Sequence, residues 1–186
     1  MSGIESRATP FPFEGQAEDR SVTIECLEVL RHLPGRRRVL RGRLDGRDVA
    51  VKTFFGAGAR RRFLRERRGL SLLAAAGVPT PGTVAEGRFD QGWWLAVDWV
   101  HGRAATREDG EAIIALNAAL HAAGVRQDDP HLGNFVVAGD RVFVIDGDGV
   151  ARGRFFLRGA RSPAEGSFLR GANPSRSAGA EFSRSG

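Results

Sequence analysis

Gln127-Asp128-Asp129-Pro130-His131-Leu132-Gly133-Asn134, then Phe135-Val136-Val137, Ala138-Gly139-Asp140-Arg141, Val142-Phe143-Val144-Ile145 and Asp146-Gly147-Asp148-Gly149, is the stretch that decides the fold. A polar segment ends in an asparagine, and two short apolar runs follow at 135–137 and 142–145. Runs of this length bounded by turn residues predict strands. A hairpin with Gly139-Asp140-Arg141 at its tip sets Asn134 opposite Asp146, and a slip of one residue keeps the pair close. An amide oxygen and a carboxylate are hard donors. They suit Mg²⁺ carried on phosphates, because that cation keeps most of its other ligands from water and substrate.

Working upstream, the chain holds a single lysine, Lys52, among 28 basic residues. Arginine serves wherever positive charge is enough, so a lone lysine marks a place where a compact ammonium is needed and a planar fork will not do. Taken alone, it reads equally well as a chance survivor of an arginine-biased composition. It closes Val49-Ala50-Val51-Lys52, which reads as a strand. A helix is predicted from about 59 to 76, with Phe63, Leu70 and Leu73 on one face. Glu66 falls inside that apolar stripe. A buried carboxylate needs a partner or it neutralises, and Lys52 is the obvious one.

The rest of the pattern is strand-rich at first. Residues 1–20 read as a flexible leader with Pro10 and Pro12. Strands are predicted over 21–30, 38–44 and 47–55, with Pro34-Gly35 and Asp45-Gly46 as turns, and over 84–89 and 93–100 around Asp90-Gln91-Gly92. Gly77 closes the first helix, and Pro79 and Pro81 prevent its continuation. A second helix is expected over 111–123, with Gly124 after it.

Composition narrows the class. A hydrophobic fraction of 41% supports a real core. No apolar run reaches a membrane span, and the first residues lack a secretory apolar core. Cys26 is the only cysteine, so no internal disulfide forms, and a reducing cytoplasm fits. The net charge of +6 is concentrated in Arg36-Arg37-Arg38 and Arg60-Arg61-Arg62, which read either as solvated surface or as patches for phosphate-bearing partners. No nucleic-acid signature accompanies them.

These segments together resemble the protein-kinase-like fold, and within it the bacterial lipopolysaccharide core heptose and Kdo kinase family. The match is carried by Val49-Ala50-Val51-Lys52, Arg65-Glu66-Arg67, His121-Ala122-Ala123-Gly124-Val125, Asp129-Pro130-His131-Leu132-Gly133-Asn134-Phe135 and Val144-Ile145-Asp146-Gly147-Asp148. The implied architecture is α+β and two-lobed. An N-lobe, 21–100, has an antiparallel sheet and one helix, and an abbreviated, mainly helical C-lobe has its catalytic part at 101–150. By the resemblance, Lys52 contacts ATP phosphates and pairs with Glu66. Asp129, five residues before Asn134, is the catalytic base, and Asn134 and Asp146 bind Mg²⁺. The backbone of Asp98, Trp99 and Val100 would meet adenine, and His131 would touch the γ-phosphate. The implied reaction moves phosphate from ATP to a sugar hydroxyl of the inner core glycolipid, in the cytoplasm at the anionic inner-membrane surface.

Three departures accompany the match. Gln127-Asp128-Asp129 stands where protein kinases have His-Arg-Asp, which weighs against protein phosphorylation. No Gly-x-Gly-x-x-Gly loop covers the phosphates, and Arg36–Arg38 would supply side-chain charge in its place. Residues 151–186 are a low-complexity tail where such folds continue with helices. That leaves three readings open: a truncated product, a frame-shifted one, or dispensable helices. Besides the core-sugar kinase, the alternatives are a small-molecule or protein kinase of the same fold and an inactive nucleotide-binding pseudokinase.

Overall fold

The computed structural model describes residues 11–18 and 20–153, within the first of the two units into which the chain divides, 1–154. The expectations for residues 1–10 and for the tail beyond 153 lie outside the described residues.

The first half forms β1 (Phe11–Ala17), β2 (Arg20–Leu33), β3 (Arg37–Leu44), β4 (Arg47–Phe55), α1 (Ala59–Ala75), β5 (Thr83–Phe89) and β6 (Gly92–Asp98). The strands predicted as an antiparallel sheet close into a barrel in the order β1-β2-β3-β4-β6-β5. Closure comes from residues assigned to the leader. Phe11, Phe13 and Ala17 alternate inward along β1 while Pro12 points out, and Gln16 pairs with Arg88 of β5. Alternation is the signature of a strand with one wet face, and joining the two edges removes the unpaired backbone each would present.

Within the barrel, successive residues face opposite ways. Val49 and Val51 of β4 and Trp94 and Ala96 of β6 fill the interior with Leu40, Ile24 and Phe13. Phe54, Leu95 and Val97 face outward and join a second core with Phe63, Leu70 and Leu73 of α1. That outward face of β4 is the one that carries Lys52. The β3–β4 register is fixed by the predicted Asp45-Gly46 turn, where both residues have positive φ (51° and 78°).

α1 ends as its sequence dictates. Val78 N–H donates to the Leu73 carbonyl and Gly77 N–H to that of Ala74, both at 3.0 Å, with Gly77 at φ 71°. This is the double bond of a Schellman cap.

The second half holds β7 (Arg103–Ala104), α2 (Gly110–Ala122), β8 (Val125–Gln127), β9 (Phe135–Ala138), β10 (Arg141–Val144) and β11 (Val150–Arg152). The expectation of a mainly helical C-lobe is corrected. Among the described residues, α2 is its only α-helix, and its strands are short and form two small sheets, β10-β9-β7 and β11-β8, joined by turns and loops. The tail is expected from 151, but Ala151 and Arg152 pair with Arg126 and Val125. The core containing Phe54 and Leu95 continues through Leu120, Phe135 and Val144, so the barrel and this half share apolar packing.

Candidate active site

Three chain segments meet at the Lys52 ammonium. It donates to Glu66 Oε1 on α1 and to the Ile145 carbonyl at 2.6 Å, and it lies 3.7 Å from Asp146 Oδ1. Glu66, 0% exposed, also accepts the Gly147 N–H at 3.0 Å. The apolar stripe on α1 thus buries its one carboxylate against a cation and a backbone donor, as a desolvated charge requires.

This meeting depends on backbone touching backbone. A Cβ on Gly69 would lie 1.9 Å from the Gly147 carbonyl oxygen, and one on Gly147 would lie 2.3 Å from the Glu66 carbonyl oxygen. No side chain fits at either place, so the paired glycines let the 145–148 segment lie directly on α1.

A fourth charge comes from β3. Arg37 donates to both oxygens of Asp146, at 3.4 and 3.3 Å, and lies 3.7 Å from Glu66 Oε2. In sequence the arginine run reads as a patch or a loose phosphate cover. In the fold its members separate: Arg36 is exposed, Arg37 enters the site and Arg38 is buried. The second run separates too. Arg60 stacks over Trp93 at 5.8 Å, and Arg62 binds the carbonyls of Phe55 and Ala57.

The two carboxylates are pushed in opposite directions. Burial drives the Glu66 carboxyl up to about 7, with the negative charge of Asp146 adding to the rise and Lys52 and the Gly147 N–H opposing it. Burial also works to raise Asp146. There the Lys52 charge, hydrogen bonding to Glu66, the Arg37 charge and the Asp148 N–H outweigh burial and hold it well below the usual carboxylate range. Asp146 is therefore the stronger acid of the pair.

The loop before β9 supplies the remaining groups. Asn134, buried, donates its amide to the Asp129 carbonyl at 2.9 Å, and this bond leaves the amide oxygen to other partners. The Asp129 carboxylate is 73% exposed, with His131 Nε2 at 3.7 Å. The hairpin register corrects the expected one by one residue. Ala138 pairs with Arg141 across a two-residue turn, Gly139-Asp140, with Gly139 at φ 62°. A two-residue turn shifts every pair by one, so Asn134 stands across from Ile145, whose N–H donates to its carbonyl at 2.9 Å. Asn134 and Asp146 remain neighbours. Asp128 is tied to Arg126 at 2.9 Å and Asp148 to Arg65, so both have partners outside this cluster.

Asp98, Trp99 and Val100 lie at the end of β6. Val49 pairs with Asp98, three residues along β4 from Lys52 and so about 10 Å away. The Asp98 N–H donates to Gly82 at 2.9 Å and that of Trp99 to Asp48 at 3.2 Å, which leaves the Val100 N–H as the segment's candidate donor.

Lys52, Glu66 and Asp146 are therefore in contact, Asn134 adjoins them through Ile145, and Asp129 adjoins Asn134. Asp98–Val100 stand apart, further along the same sheet. The Arg37–Asp146 pairing and the Gly69–Gly147 contact are not foreseen from sequence. Among the described residues, no three His, Cys, Asp or Glu side chains cluster as a self-contained metal site. The oxygens of Asn134 and Asp146 are nonetheless the hard donors that fit a Mg²⁺ whose other ligands are phosphate and water. Among the described residues no helix is long and apolar enough to cross a membrane.

No curated protein matches the chain. Among solved structures, the kinase domain of Mycobacterium tuberculosis PknI, in a cysteine-to-alanine mutant form, is similar at a TM-score of 0.52 and 20% identity. The match covers 80% of this chain and 65% of that one. A likeness at that identity speaks for the fold, which is protein-kinase-like α+β with a barrel in its first half. The profile of the phosphotransferase enzyme family matches residues 29–130, more than half of the 186 residues. That span takes in Arg37, Lys52, Glu66 and Asp129, and on this sequence match, with the fold beneath it, the chain belongs to the phosphotransferase enzyme family.

Proposed function

We propose that this chain is an ATP- and Mg²⁺-dependent kinase that phosphorylates a heptose or Kdo hydroxyl of the lipopolysaccharide inner core. The observation that carries the kinase reading is the buried contact of Lys52, Glu66 and Asp146, with Asn134 and Asp129 beside it. The acceptor class rests on the resemblance of segments 129–135 and 144–148 to the core-sugar kinases, and on Gln127-Asp128 in place of His-Arg.

In this reading Lys52, held by Glu66, binds the α- and β-phosphates, and the backbone of Asp98–Val100 faces adenine. Asn134 and Asp146 would hold Mg²⁺, which when bound offsets charge on the β- and γ-phosphates. Asp129 accepts the proton of the sugar hydroxyl as its oxygen takes the γ-phosphoryl group and ADP leaves, and His131 steadies the transferring phosphate. Little covalent work falls to the protein, and rate comes from position and charge. The arginine-rich surface suits a phosphorylated glycolipid at an anionic membrane.

The test is mass spectrometry of core oligosaccharide incubated with ATP, Mg²⁺ and this protein. A gain of one phosphoryl group is expected, and Asp129→Asn should slow it roughly 10²–10⁴-fold with nucleotide binding retained. Undiminished turnover in that variant removes Asp129 as the base. Label appearing on an aminoglycoside or a protein instead moves the acceptor to the alternative kinases. Nucleotide binding without any transfer makes the chain a pseudokinase.

A further inference from the structure

Arg37 is a cation that the reading above does not use. It follows directly on the turn at Pro34-Gly35-Arg36 and forks onto Asp146, with Glu66 Oε2 at 3.7 Å. Lys52 and Arg37 together face Glu66 and Asp146, two basic groups against two acidic ones, and none of these side chains is more than 13% exposed. The cluster is closed, with its stronger acid, Asp146, already paired to both cations. A bare divalent cation arriving at Asp146 meets a carboxylate already held by a charge-assisted fork, and meets two cations, one buried and one half-buried, beside it. Nucleotide phosphates change this, because they bring negative charge of their own. A guanidinium fork also fits phosphate oxygens as well as it fits a carboxylate, so Arg37 has a second partner waiting.

We propose that Arg37 closes the Asp146 carboxylate to a bare divalent cation and passes to the nucleotide phosphates when cation and nucleotide bind together. Arg37 is on this account a positioning residue that imposes joint entry of metal and nucleotide. The inference rests on the kinase reading above and adds a role to a residue outside it.

The test measures Mn²⁺ binding to the full chain by titration calorimetry, with and without a non-hydrolysable ATP analogue. Wild type should bind Mn²⁺ weakly alone and well with the analogue. Arg37→Ala should bind Mn²⁺ alone about ten- to a hundredfold more tightly, and the analogue about tenfold more weakly. Arg37→Gln, which keeps a polar group but no charge, should behave the same way, and carries the test if the alanine variant melts early. Asp146→Asn should remove Mn²⁺ binding in every background. If both Arg37 variants match wild type for Mn²⁺ alone while Asp146-dependent binding with the analogue persists, the gate is wrong and the kinase reading stands. If no protein shows Asp146-dependent Mn²⁺ binding under either condition, the metal reading falls and takes the gate with it.

Discussion

Lys52 and Glu66 are buried, Asp146 and Arg37 are half-buried beside them, and the four are mutually paired where β3, β4, α1 and the strand end at Ile145 meet, whereas Asp129 and His131 sit on an exposed loop and face each other at 3.7 Å. The first cluster is complete before any ligand arrives. The second leaves its carboxylate 73% exposed, free to be placed by whatever hydroxyl docks there. A buried charge must be paired by the protein itself, while an exposed one can rely on water. Stability should therefore reside in the first group and turnover should need both.

The hardest way to break this contrast is at the backbone contact. Gly147→Val puts a side chain where only 2.3 Å is available, and should cost about 3 kcal/mol or more in denaturant unfolding, with phosphotransfer lost. Lys52→Arg keeps the charge but brings a planar fork into a pocket fitted to an ammonium. The protein should remain folded while turnover drops roughly a hundredfold, and wild-type rates would show that the lysine is incidental.

Acid titration separates the two carboxylates of the cluster. The Glu66 carboxyl rises from 4.5 to about 7 on folding, so between those values the folded chain binds the extra proton. Stability from this group is then greatest below about pH 4.5 and falls as pH rises toward 7, by on the order of 1–3 kcal/mol. Asp146 is lowered, so its contribution is present above the ordinary carboxylate value of 3.8 and is lost only in stronger acid. Glu66→Gln should flatten the profile between pH 4.5 and 7, and a profile unchanged by that variant would remove Glu66 as its source. The smallest effect belongs to the loop: His131→Ala should leave unfolding free energy within about 0.5 kcal/mol of wild type. A larger loss would mean that the exposed side also holds the fold.

Much of this is legible without coordinates. Lys52 and Glu66 declare themselves through scarcity and through a charge in an apolar stripe, and turn residues punctuate the strands. Even Arg37 is within reach. The Asp45-Gly46 hairpin fixes Val39 opposite Lys52 and Arg37 opposite Phe54, which puts Arg37 on the lysine's face. The clustering of three arginines hides this, because it reads as surface. Barrel closure is not legible, since the Gln16–Arg88 pair joins residues with no local signal for each other, and Pro12 disguises an alternating strand. The hairpin register turns on whether Arg141 belongs to the turn or the strand, which Gly139 at positive φ decides in favour of the strand.

Because Lys52 is the only lysine, the chain offers acylating reagents a single side-chain amine, and that amine is almost wholly covered. A reactive acyl group tethered to a nucleotide would, apart from any α-amino terminus, have one address on this protein. Its capture would report occupancy of the site directly, without need of an identified acceptor.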